Sequence, residues 1–235
     1  MMPLPPLLPA TRNLLVLGAV LLVLNVVLAE GGVPLGLLAI APTPSIGWSW
    51  QWATHWLVHG TSGAAVLFKL VELAFIYLMG SQYEAMAGPR RVYALFVVSI
   101  LGSAVGALGT LWITPYAPWA GSSFTTALVL ALAMRASGRE VEVPMMGRTS
   151  PWIFVAGFGV FSLFNAFSDR FAPIAGVYAG TCAAAYVLER WVRLEGRARP
   201  ATKAAPVARR SEPRFRVIQG GGSRDDDDER PKYLN

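Results

Sequence analysis

Residues 172–180 read Ala172-Pro173-Ile174-Ala175-Gly176-Val177-Tyr178-Ala179-Gly180. Ala172, Gly176 and Gly180 recur at every fourth position. On a helix they form one stripe without bulk, against which a neighbouring membrane helix can approach closely. Pro173 lies on the edge of that stripe. Upstream, Gly121-Ser122-Ser123-Phe124 opens another apolar segment with a hydroxyl in the position of a nucleophile, and a serine that does chemistry needs a base beside it. Proline offers no proton acceptor. The two stretches together predict the frame of a membrane enzyme without its base.

Composition sets the class. Of 235 residues, 54% are hydrophobic and 14% charged, and the mean hydropathy is +0.46. These values exclude an ordinary soluble domain and predict an all-α polytopic membrane protein. Apolar segments fall at 13–29, 56–79, 92–113, 123–134, 152–167 and 171–188, which reads as a six-transmembrane-helix bundle. The first is long for a signal-peptide core, and no clear small-residue cleavage signal precedes Glu30-Gly31-Gly32, so it reads as a retained span. The fourth is shorter than the roughly twenty residues that cross a bilayer. It is therefore either extended by Ala136 and Ser137 or sunk inside the bundle. The expected organisation is a short N-terminus (1–11), a membrane domain (12–191) and a tail (192–235). The single cysteine, Cys182, leaves no disulfide frame and no thiolate metal site. No metal, no cofactor and no nucleic-acid partner are expected.

Basic residues orient the bundle. Arg90 and Arg91 follow the second segment, Arg135, Arg139 and Arg148 the fourth, and a basic series from Arg190 and Arg193 to Lys232 the sixth. The loops after the first and third segments carry no Lys or Arg, and the loop after the fifth only Arg170, beside Asp169. With Arg12, this distribution predicts both termini on the cytoplasmic side, which in a bacterial cell means the plasma (inner) membrane. Trp48, Trp50, Trp52, Trp56, Trp112 and Trp119 then mark an external aromatic belt. The tail is rich in charge, Pro, Ala and Gly and is expected to be disordered. Its basic first half suits anionic headgroups, and the acidic run Asp225 to Glu229 reads as a solvated charge run.

Two ionisable residues, Lys69 and Glu72, lie inside the second apolar segment, where charge is expensive and points to function. Three residues apart, they share a helical face and can pair. The pair is expected to be a buried clip or a polar contact for another protein's membrane segment. Two sharper roles are Lys69 as base of a dyad with Ser123, and both residues as part of a transport pathway. His55 and His59 are the only histidines and are expected as polar residues near the interface, with His59 a candidate substitute base. Ser123, just after Gly121 and at the start of a helix, also suits an N-cap. Gly102-Ser103-Ala104-Val105-Gly106 predicts a ridge for helix contact, and Pro173 fits the first turn of a helix, where a missing N–H costs little.

Over most of residues 48–190 these stretches resemble the rhomboid family of intramembrane serine proteases. The family's fourth helix begins with Gly-x-Ser, matched by Gly121, Ser122 and Ser123. Its sixth carries Ala-His-x-x-Gly-x-x-x-Gly, matched by Ala172, Gly176 and Gly180 with Pro173 in place of the histidine. Residues 50–84, with His59-Gly60 and the stretch from Gly80 to Glu84, are similar to the segment leading into and through the family's second helix. The family's oxyanion pair, His-x-x-x-Asn, aligns with Ala65 and Lys69, so both of its donors are replaced, and Phe124 stands where active members keep a small residue. The likeness is thus to inactive members such as the derlins and other rhomboid pseudoproteases. It implies a protein that binds transmembrane segments of client proteins without cleaving them. An active endopeptidase using Ser123 with another base, and a transporter or channel, are the alternatives.

Overall fold

A computed structural model of the chain describes residues 6–39, 50–111, 123–136, 138–143, 147–166 and 172–198. The elements are α1 (Pro9–Glu30), α2 (Gln51–Thr54), α3 (Gly63–Ala87), α4 (Pro89–Leu111), α5 (Phe124–Ala136), β1 (Val141–Val143), β2 (Gly147–Thr149), α6 (Pro151–Ala166) and α7 (Ala172–Ala198), with single 3-10 turns at Leu35–Leu38 and His55–Leu57. The chain is mostly helical. One element lies outside the all-α expectation: β1 and β2 form an antiparallel hairpin, with Val141 opposite Thr149 and Val143 opposite Gly147.

Among the described residues, three helices are long and apolar enough to cross a membrane: Pro9–Glu30, Ala65–Ala87 and Pro89–Thr110, with mean hydropathies of 2.2, 1.4 and 2.0. They make this a membrane-embedded protein. Their outer faces expose Val16, Val20 and Val23 on α1, Leu67, Phe68 and Val71 on α3, and Val97, Leu101 and Val105 on α4. Lipid accepts such a surface, and water does not.

Element boundaries differ from the hydropathy pattern in two places. The segment expected at 56–79 is divided, because residues 51–57 form short turns and α3 starts only at Gly63. Ser62 sets that start. Its backbone is extended and its hydroxyl accepts a hydrogen bond from the Ala65 amide at 3.3 Å, the geometry of an N-cap. At the other end of the chain α7 runs to Ala198, beyond the 191 boundary expected for the membrane domain. Residues such as Arg193 and Leu194 are good helix formers, and the first strong breaker is Pro200. Between α3 and α4, Gly88 takes φ +82° and Pro89 opens the next helix, so stop and start are adjacent.

The short fourth segment is resolved in favour of burial. Every residue of α5 except Leu130 and Arg135 is buried. At about 1.5 Å per residue such a helix is too short to cross the hydrocarbon layer, and it needs no lipid contact. Phe124, Leu128 and Leu132 pack with Met79 and Tyr83 of α3, Leu95 of α4 and Ala185 of α7 in one core.

Hydrogen bonds near both ends help to hold α1 to the rest. No side chain caps its N-terminus locally, and Glu84 of α3 does so instead, accepting from the amides of Ala10 (2.9 Å) and Thr11 (2.7 Å) and from the Thr11 hydroxyl (2.8 Å). Gly80 permits this approach, since a Cβ there would lie 3.0 Å from Thr11 Cγ2. Near its other end, Asn25 donates to the Leu57 carbonyl (2.7 Å) and accepts from the His59 amide (3.1 Å).

The two small-residue stripes meet. A Cβ on Gly102 would lie 2.6 Å from both the Gly180 carbonyl oxygen and Ala184 Cβ, and a Cβ on Gly106 would overlap the Gly176 carbonyl. In return, a Cβ on Gly176 would lie 2.6 Å from the Gly106 carbonyl oxygen, and one on Gly180 would overlap that of Gly102. Helices α4 and α7 therefore cross backbone to backbone, the packing that small residues allow between membrane helices.

Candidate functional site

Ser123 immediately precedes α5, and its carbonyl accepts the first helical bonds, from Thr126 N (3.0 Å) and Ala127 N (3.3 Å). Its side chain is buried, and the hydroxyl bonds that of Thr181 on α7. Thr181 is itself fully buried. One hydroxyl donates to the other here, and neither is a base at neutral pH. Pro173 lies eight positions before Thr181 on the same helix, about 12 Å along its axis. The residue of α7 that meets the serine is thus two turns beyond the position that the sequence motif singles out. Ala172 and Pro173 are helical, their side chains lie outside the described ones, and Gly121 and Ser122 lie outside the described residues. Phe124 is buried and stacks edge to face on Phe96 (5.3 Å between centroids), which in turn meets Trp56 (5.2 Å).

Lys69 and Glu72 pair as expected, at 2.8 Å, with Lys69 buried to 6% exposure. Ala65 is half-buried, one turn before Lys69 on α3. The described bonds of Lys69 and Ser123 lead to different partners, Glu72 and Thr181. Lys69 instead shares a small cavity of about 20 Å³ with His59, Trp56, Leu17, Phe96 and Phe124. Glu72 is near enough to act electrostatically on Tyr178 of α7.

Both histidines are buried within the protein. The reason is the fold of residues 51–59, which tuck against the helices. His55 Nδ1 bonds the Trp52 carbonyl (2.9 Å) and Nε2 bonds the Ser103 hydroxyl (2.7 Å), so Ser103 in the small-residue ridge of α4 also anchors the loop. His59 Nδ1 bonds the Leu57 carbonyl at 3.2 Å, while its Nε2 is buried with no hydrogen-bond partner among the described residues. Burial, and then the positive charge of Lys69, bring the His59 pKa down to about 4, and burial lowers that of His55. Both rings are neutral at pH 7.

A third polar cluster has no counterpart in the sequence reading. Glu189 of α7, 1% exposed, accepts from the Tyr83 hydroxyl of α3 and pairs with Arg135 Nε of α5 at 3.1 Å. The Arg135 guanidinium lies 5.6 Å from the Tyr83 ring centre. Arg193 donates to the Met134 carbonyl near the end of α5, where a cation complements the helix dipole. Arg135, read from sequence as a flanking charge, is a structural ion-pair partner. The signal for it was Glu189 itself, an acid at the edge of an apolar segment.

Between α5, α6 and α7 lies a larger cleft of about 200 Å³, lined by Val129, Leu130, Phe158, Ala175, Tyr178 and Cys182 among others. Its wall is almost wholly apolar. Ala175, Tyr178 and Cys182 follow one another on a single face of α7, adjacent to the turn that carries Thr181.

No family model matches the chain, and neither a curated protein nor a solved structure does.

Proposed function

We propose that the chain is a rhomboid-like six-helix membrane protein that holds transmembrane segments of other membrane proteins without cleaving them. The observation that carries this reading is the environment of Ser123: a serine at the head of a largely buried helix, with a threonine hydroxyl as its partner on α7. Loss of a member of a serine catalytic set reduces rate by orders of magnitude. The apolar cleft between α5, α6 and α7 has the chemistry to receive aliphatic side chains of a client helix. In this arrangement α1, α3, α4, α5, α6 and α7 are the six helices of the bundle. Both termini face the cytoplasm, and the basic part of the tail, outside the described residues, contacts anionic lipid.

Photocrosslinkers placed at Leu130 and Tyr178 in the reconstituted protein, with a panel of single-span membrane proteins, test the binding. Crosslinks confined to these positions and absent from the outer α1 face at Val20 are expected, and equal labelling at all three would reject the cleft as a binding site. Fluorophosphonate labelling tests silence: the serine is expected to be unreactive. Strong labelling lost in Ser123→Ala would replace this reading with that of an active protease.

A further inference from the structure

We propose that the cavity between α1, α3 and α5 is a binding site for one neutral hydroxyl donor and acceptor, a water molecule, held between His59 Nε2 and Lys69 Nζ. This site is independent of Ser123 and of the client-binding reading.

The tautomer follows from the hydrogen bonds. A carbonyl oxygen only accepts, so the 3.2 Å contact between His59 Nδ1 and the Leu57 carbonyl requires the proton on Nδ1. In the neutral ring Nε2 then carries a lone pair. His59 is 7% exposed and lines the cavity, and this nitrogen has no donor among the described residues. Across the cavity wall, Lys69 gives one proton to Glu72, and an ammonium has three. A guest in this space must therefore donate to the imidazole and accept from the ammonium.

An anion fails the first requirement, because it would face the Nε2 lone pair with no proton to offer. A metal cation fails the second, because it would approach an ammonium. A hydroxyl satisfies both. The cavity volume of about 20 Å³ admits a single water and little more, and the other lining residues, among them Leu17, Trp56, Phe96 and Phe124, are apolar or aromatic. A bound water would join the loop before α3 to the Lys69–Glu72 pair in one chain of hydrogen bonds. That chain would lock residues 56–59 to the buried part of α3.

The test is nitrogen NMR of histidine-labelled protein in lipid nanodiscs at pH 7, with His59 assigned by the signals lost in His59→Gln. The expected spectrum has a protonated Nδ1, a non-protonated but hydrogen-bonded Nε2, and a cross-peak from the His59 ring to slowly exchanging water. Lys69→Met is expected to keep the tautomer and lose the water cross-peak. A protonated Nε2 or a missing water cross-peak in the wild-type protein would overturn the proposal, as would a cross-peak unchanged in Lys69→Met. The wild-type spectrum decides on its own should that variant fail to fold.

Discussion

Ser123 and Lys69 are both buried polar residues in an apolar bundle, and they are accommodated in different ways. Ser123 meets Thr181, a neutral group with one donor and spare acceptor capacity. Lys69 carries charge, so it requires Glu72, and it lies against an imidazole whose outer nitrogen is left over. The hydroxyl pair is neutral, and one hydrogen bond joins its two members. The charged cluster is different, because a low-dielectric interior penalises each unmet valence heavily. The sequence marks the serine as a nucleophile position without its base, and a buried charge lies at the lysine.

The largest effect is expected from Glu72→Leu, which strands the Lys69 charge. Breaking one side of a buried pair is expected to destabilise by roughly 3–5 kcal/mol, read as a fall in thermal midpoint in detergent, while Lys69→Met with Glu72→Leu recovers most of the loss. Equal loss in the single and double variants would mean that the cost of removing Glu72 does not come from stranding Lys69.

Acidification comes next. The His59 pKa is near 4 in the folded protein against 6.5 in the open chain, so the unfolded state binds more protons between those values. Stability is fully present above pH 6.5 and falls as pH drops towards 4, by at most roughly 3 kcal/mol, with His59→Gln removing its share of the slope. A pH-independent midpoint across this window would contradict the burial of the ring.

The serine side is expected to respond least. Thr181→Val leaves the Ser123 hydroxyl buried without its partner and is expected to cost about 1–2 kcal/mol, whereas Ser123→Ala with Thr181→Val returns close to wild type. A larger penalty for the double variant would show that the hydroxyls serve more than each other.

What was legible in the sequence was local. The Lys69–Glu72 pair follows from helical spacing alone, and the glycine stripes were recognisable as contact surfaces because every fourth residue lacks bulk. That Gly102 and Gly106 would meet Gly176 and Gly180 was not readable, since small residues specify closeness without specifying a partner. Thr181 escaped notice for a similar reason: the register between α5 and α7 is set by that crossing, and a two-turn slide leaves the hydropathy pattern unchanged. The burial of His55 and His59 depends on Asn25 and Ser103, which lie far away in the chain. Ser62 was a readable signal for the start of α3, hidden inside a continuous apolar stretch.

Glu84 has a consequence for how the molecule is made. The leading amides of α1 find their acceptor on a residue 74 positions downstream of Ala10, so the first helix is finished by the second long one. While the chain is emerging from the ribosome, α1 enters the bilayer with its front end still seeking a carboxylate. It becomes fixed only when α3 returns beside it. In the folded protein the two helices are joined at this carboxylate, and Glu84→Ala should leave the first amides of α1 without their acceptor.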